Sequence, residues 1–191
     1  MFLQKELFPI ALVLVFLMCM ISPLFSESVT LIHSNDTHGI YKSYKVKTDN
    51  GERLVGGMEA ASYYISEIRA KEKNVLVIET GDMLTGTLAA DIKYKNVTGG
   101  VMMEFLNRVG YDVWCYGNHD FDKGQKNAAG LKKLAKFPTV MSNIVYKKNK
   151  KLFPAKPFHI FTLGKLKVGV TAVMEENFLT EVRKEAVEGL D

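Results

Sequence analysis

Val75-Leu76-Val77-Ile78 is an uninterrupted apolar run with three β-branched residues, ended by Glu79 and followed at once by Thr80-Gly81-Asp82. A strand with apolar side chains on both sides must be covered on both faces, which is the condition of a parallel sheet wrapped by helices. The flanking sequence agrees. Residues 29–33 form another short β-rich run, and between the two lies a helical pattern over residues 58–71, with Met58, Ala61, Ile65 and Ile68 on one face and Gly56-Gly57 at its start. A second helix over 101–109 carries Met102, Phe105, Leu106 and Val109, is closed by Gly110 and leads into a strand over 112–116. A third, over 125–136, precedes Pro138 and a strand over 139–144. The order β-α-β-α-β-α-β predicts an α/β sheet of parallel strands joined by crossover helices.

Beyond Tyr146 the pattern changes. Residues 158–163 and 166–173 flank Gly164-Lys165 as the arms of a β-hairpin do, implying an antiparallel piece or a second sheet layer. The stretch 39–55, rich in Lys, Tyr, Asp and Asn, is expected to be an irregular loop running off the first strand.

The formal charge of +4 comes mostly from lysines, including Lys147, Lys148, Lys150, Lys151 and Lys156 around a turn. With no aromatic residues interleaved and no recognition helix, these read as a solvated turn, and no nucleic-acid partner is expected. At the other end, Lys5 precedes an apolar run from Phe8 to Ile21 and then Ser22, Pro23 and Ser26. This is the pattern of a signal peptide over residues 1–26 cleaved near Ser26-Glu27, leaving a chain over 27–191 that is exported to the periplasm or the medium. A membrane anchor is the competing reading, but the run is shorter than the roughly 20 residues of a bilayer span and contains Pro9. Lipidation at Cys19 is weaker still, with bulky Met18 before it. Without the leader, Cys115 is the remaining cysteine, so no internal disulfide is expected, and its place in a strand makes it a small buried residue.

Three segments follow strands and carry chemistry: Asn35-Asp36-Thr37-His38, Gly81-Asp82, and Gly117-Asn118-His119-Asp120-Phe121-Asp122. In an α/β sheet the ligand site lies at the carboxyl ends of the strands. Asp36 and His38, two apart in a loop, can present a carboxylate oxygen and an imidazole nitrogen to one ion. Asp82 can bridge two ions, and the Asn118 carbonyl oxygen can reach the second. Such mixed oxygen and nitrogen donors suit Mn, Zn, Fe or Mg rather than a thiolate cage. Two ions about 3.5–4 Å apart can hold and acidify a bridging water for in-line attack on phosphorus. His119 would face the phosphate as hydrogen-bond or proton donor.

With these segments, the chain resembles the N-terminal part of a 5′-nucleotidase of the calcineurin-like metallophosphoesterase superfamily. The resemblance runs from Val29 to Val173 through Leu31 to Gly39, Gly56-Gly57, Glu79 to Asp82, Leu106 to Asp112, Gly117 to Asp122 and Phe137 to Ile144. It departs from the family at Ser34, Tyr116 and Asp120, where Thr, an aliphatic residue and Glu are usual.

The resemblance implies a partial four-layer α/β/β/α domain with mixed sheets, incomplete at its C-terminus. It implies that Asp36 and His38 ligate the first metal, Asp82 bridges, and Asn118 ligates the second, the two divalent ions being Zn, Mn, Mg, Co or Fe. His119 would be the catalytic histidine oriented by Asp122, with Asn118 and His119 also touching substrate and Asp120 in support. The implied reaction is hydrolysis of a nucleotide phosphate ester by a metal-bridging hydroxide. The family's two further metal-ligating histidines, the last in Gly-His-x-His, and its later base-clamping domain have no counterpart in this sequence. His33 is expected to be packed within its strand, and His159 to be structural. A non-catalytic exported fragment with partial metal binding is therefore the alternative, as is a related enzyme acting on cyclic nucleotides, UDP-sugars or sulfur esters. A half-built second sheet would also leave apolar surface exposed, and poor solubility or partial disorder after Val173 is expected.

Overall fold

The computed structural model describes residues 27–191, so the expected leader over 1–26 lies outside the described residues. Four strands, β1 (Thr30–Ser34), β4 (Val75–Glu79), β7 (Val113–Cys115) and β8 (Thr139–Val140), form one parallel sheet in that spatial order. Helices α1 (Met58–Lys71), α2 (Gly100–Val109) and α3 (Gln125–Leu134) make the crossovers. Each has local reasons to start and stop. Glu59 in the first turn of α1 and Arg69 and Lys71 in its last complement the helix dipole. Gly110 closes α2 in the left-handed conformation that a side chain would resist.

The alternation of side chains along each strand divides the interior into two. Val77, Trp114 and Met141 join Met58, Ile65, Met102, Met103, Leu106, Ala128 and Leu131 in the main core on the helical side. Val113, Cys115 and Val140 face the other way and meet Phe161 and Val170 of the hairpin β9 (Phe158–Leu163) and β10 (Leu166–Thr171). The hairpin is thus the second sheet layer. Cys115 is buried as expected, and burial pushes its thiol up to about 12.

Three expectations fail. The stretch 39–55 is not an irregular loop, because β2 (Tyr44–Thr48) and β3 (Gly51–Val55) pair as an antiparallel hairpin within it. His33 is exposed rather than packed: β1 is an edge strand, and Leu31 on the same face is 58% exposed where the second sheet does not reach. The chain after Val173 is also ordered. Short helices α4 (Phe178–Glu181) and α5 (Lys184–Val187) bury Phe178, Ala186 and Val187 in the main core, Val182 and Leu190 beside them join it, and Asp191 exchanges two backbone hydrogen bonds with Val145. Between these lie β5 (Lys93–Tyr94) and β6 (Val97–Thr98), a minimal hairpin ahead of α2.

The outer face of the β9–β10 hairpin carries Phe158 and Ile160, each more than half exposed. Contiguous apolar surface of this kind drives self-association. Replacing both by threonine, which keeps β propensity, is expected to raise the monomer fraction in size-exclusion chromatography without altering the circular dichroism spectrum.

Candidate metal and phosphoester site

Because β1, β4 and β7 are adjacent and parallel, their carboxyl ends open along one edge. The loops that follow stay laced together beyond the ladder. The Thr80 N–H donates to the Ser34 carbonyl at 2.8 Å, Asp36 N–H to Gly81 at 3.1 Å, His38 N–H to Asp82 at 3.0 Å and Gly39 N–H to Met83 at 3.0 Å. Asp36, His38 and Asp82 all adopt positive φ, at 52°, 44° and 56°. Each such conformation costs on the order of 1–3 kcal/mol and persists only where its surroundings enforce it. Here the lacing does so. Gly117 belongs to the same requirement, since a side chain there would collide with the carboxylate and backbone of Asp82.

One ligand atom each from Asp36, His38 and Asp82 come within 4.8 Å of one another. His38 Nδ1 lies 3.0 Å from the Leu84 carbonyl, which fixes that nitrogen as the protonated one and leaves Nε2, 3.6 Å from Asp36 Oδ1, as the lone-pair donor. The Asn118 carboxamide rests against Asp82, its nitrogen donating to the two Asp82 carboxylate oxygens at 3.2 and 3.1 Å. The Asp36, His38 and Asp82 donors fit divalent metal binding, and Asp82 lies between the Asp36–His38 pair and Asn118.

His119 stands beside this group, its ring centroid 5.2 Å from that of His38 and its backbone N–H donating to Asp82 Oδ1 at 2.9 Å. Its Nδ1 is 2.8 Å from Asp122 Oδ2. Burial disfavours the imidazolium, but the hydrogen bond and charge of Asp122, aided by Asp82 and Asp120, outweigh it and raise the His119 pKa. At Asp82, burial likewise raises the pKa against the N–H and charge of His119. The cleft over the site, about 280 Å³, is lined by Asp36, Asp82, Asn118, Val173 and Met174 among others. The larger hollow of about 700 Å³ lies elsewhere, between the β2–β3 hairpin and Phe105.

All six sequence-predicted site residues thus converge, whereas His33 and His159 do not. His33 is on the outer face of β1, and His159 packs edge-on to Phe161 beside Lys156. The family model for calcineurin-like phosphoesterases matches residues 29–178. The chain belongs to this family. It is 30% identical to the NAD 5′-nucleotidase of Haemophilus influenzae, over 74% of this chain and 24% of that protein. It is 32% identical to a 5′-nucleotidase of Bos taurus, over 74% and 25%. The crystal structure of a 5′-nucleotidase precursor from Thermus thermophilus superposes with a TM-score of 0.69 and 26% identity, over 78% of this chain and 29% of that one. The chain therefore spans about a quarter of the length of the curated relatives it matches.

In this calcineurin-like phosphoesterase chain, residues that sequence reasoning left out hold the site together. Thr85, itself at φ 66°, donates its hydroxyl to Asp122 Oδ2 at 2.6 Å and so fixes the carboxylate that fixes His119. Asp120, set aside in the sequence as merely supporting, is fully buried and accepts four backbone N–H groups: Gly117 at 2.9 Å and Asp82 at 3.2 Å on Oδ2, Met83 at 3.1 Å and Leu84 at 3.2 Å on Oδ1. Burial pushes its pKa up to about 7, against the pull of these N–H groups and with the charge of Asp82 adding to the rise. Glu79, also fully buried, is pushed up to about 8 by burial, with its hydrogen bond to Ser34 opposing and the charges of Asp120, Asp36 and Asp82 adding. No periodicity or spacing signals either role.

Asp120→Asn is expected to cost roughly 3 kcal/mol in urea unfolding, because its amide would turn an NH₂ toward two backbone donors that then have no acceptor. Glu79 binds its proton in the fold up to about pH 8, whereas its ordinary value is 4.5. Between those values the folded state holds a proton that the unfolded chain has lost, so stability falls as pH rises through this window and levels off above it. The melting temperature of the metal-free protein is expected to drop less between pH 5 and 8 in Glu79→Gln than in the wild type.

Proposed function

We propose that this chain carries the metal-binding and proton-transfer elements of a metal-dependent phosphohydrolase of the 5′-nucleotidase type, acting on nucleotide phosphate esters. The observation that supports it is the convergence of Asp36, His38 and Asp82 beside a His119 oriented by Asp122. Asp36 and His38 would hold one ion, Asp82 both, and Asn118 the second, each ion being Zn, Mn, Mg, Co or Fe. Bound there, the ions supply positive charge to the phosphoryl oxygens and acidify water.

The chain's own residues do the rest. Asp122, steadied by Thr85, holds the His119 Nδ1 proton, so that Nε2 is the atom turned to substrate. A protonated Nε2 donates a hydrogen bond to a phosphoryl oxygen or a proton to the departing alkoxide. The raised pKa of His119 extends that protonated form to higher pH, so an activity that needs it declines on the alkaline side. Nucleotide substrates are inferred from relatives that are 5′-nucleotidases.

A second reading, metal binding without hydrolysis, draws on the donor count: among the described residues one group of three or more His, Cys, Asp or Glu donors is found. Export is proposed from the leader pattern; no helix among the described residues is long and apolar enough to cross a membrane. Sequencing the mature N-terminus from expressing cells tests cleavage near Ser26-Glu27.

Phosphate release from AMP and p-nitrophenyl phosphate, measured with Mn²⁺ alongside calorimetric metal stoichiometry, separates the two readings. Hydrolysis with two ions per chain is expected, with His119→Ala lowering kcat by about 10²–10⁴. Asp122→Asn is expected to lower it about 10- to 100-fold. One ion per chain and no phosphate release would establish the second reading instead.

A further inference from the structure

Strand β4 is apolar from Val75 to Ile78 and then places a carboxyl group, Glu79, in full burial three residues before Asp82. Its Oε2 is hydrogen-bonded by the Ser34 hydroxyl, while its Oε1 has no protein partner. The same Ser34 oxygen lies 2.6 Å from the Tyr111 hydroxyl. Ser34 and Glu79 are register partners, the last pair of the β1–β4 ladder, and the site loops begin immediately beyond them. The Ser34 carbonyl also accepts both the N–H and the hydroxyl of Thr80, at 2.8 and 3.1 Å.

Resting on the assignment of Asp36 and Asp82 as metal ligands, we propose that Glu79 is a positioning residue for that pair, acting through Ser34 and Tyr111 as a buried brace between the ends of β1 and β4. Asp36 stands two residues past Ser34 and Asp82 three past Glu79, so a displacement at the brace passes directly into the loops. Those loops have backbone in the left-handed region at both ligands and rely on the inter-strand lacing to keep it there. Three chain segments meet at one oxygen: β1 through Ser34, β4 through Glu79, and the turn after α2 through Tyr111. A protonated carboxyl serves this brace, because it can donate or accept toward Ser34 without adding a further negative charge beneath Asp36, Asp82 and Asp120. A glutamine in its place keeps shape and neutrality, whereas alanine leaves a gap and removes the partner of Ser34.

Amide hydrogen exchange of the metal-free chain, followed with Mn²⁺ titration, tests this. In Glu79→Ala the Asp36, His38 and Gly39 amides are expected to exchange about 10-fold faster than in wild type while α3 amides are unchanged. Mn²⁺ affinity should fall about 10- to 100-fold, with Glu79→Gln staying near wild type in both measures. Wild-type loop protection in a folded Glu79→Ala would overturn the proposal, as would Glu79→Gln behaving like alanine. If Glu79→Ala does not fold, Tyr111→Phe, which removes one hydroxyl, is expected to speed the same amides about threefold, and unchanged protection there would overturn it equally. Loosened loops in Glu79→Ala, together with a wild type that binds no Mn²⁺, would refute the ligand assignment and still establish the brace.

Discussion

The arrangement of the site depends on one carboxylate whose hydrogen bonds all go to backbone N–H groups. Asp120 gathers backbone N–H groups from two loops, three from the segment after β4 and one from the segment after β7. Without it, Asp82, Met83 and Leu84 would turn their donors into a dry interior, at a cost of about 1–3 kcal/mol for each left unmet. Its own charge is awkward in that setting. The awkwardness is spread over four hydrogen bonds, and that is what lets an acidic side chain stay where an apolar one would otherwise sit.

From that clamp outward the site is a chain of dependencies. The Asp82 loop, once held, accepts the His38 N–H and so aligns the first loop, and Asp82 Oδ1 accepts the His119 N–H and aligns the third. The strained dihedrals at Asp36, His38 and Asp82 are distributed over the same lacing. Rigidity here comes from the backbone, and the functional side chains inherit it.

Much of this was legible in the sequence where one physical signal dominated. The helix over 58–71 and the strand over 75–79 coincide with α1 and β4, because apolar periodicity and glycine punctuation agree there. The β2–β3 hairpin escaped because its residues are almost all exposed and no long apolar run marks it, although Tyr44, Val46 and Thr48 alternate with Lys45 and Lys47 and Asn50-Gly51 is a recognised hairpin signal. The β5–β6 turn carried no signal, since Lys95 and Asn96 supply its left-handed conformations without a glycine. Within the site, residues adjacent to strand ends were readable from order and spacing. Thr85, Glu79 and Tyr111 were not, because their roles arise from contacts across 37, 45 and 77 positions of chain.

Gly117 contributes no functional group, yet its hydrogen occupies the narrow space between the β7 loop and the Asp82 carboxylate. The site is therefore encoded partly by atoms that are missing. Alanine scanning, which identifies chemistry by subtracting side chains, would here score an addition: one methyl group would displace a carboxylate as effectively as removing it. Volume, and not reactivity, constrains that position, and sequence variation there would follow steric rules while its neighbours follow chemical ones.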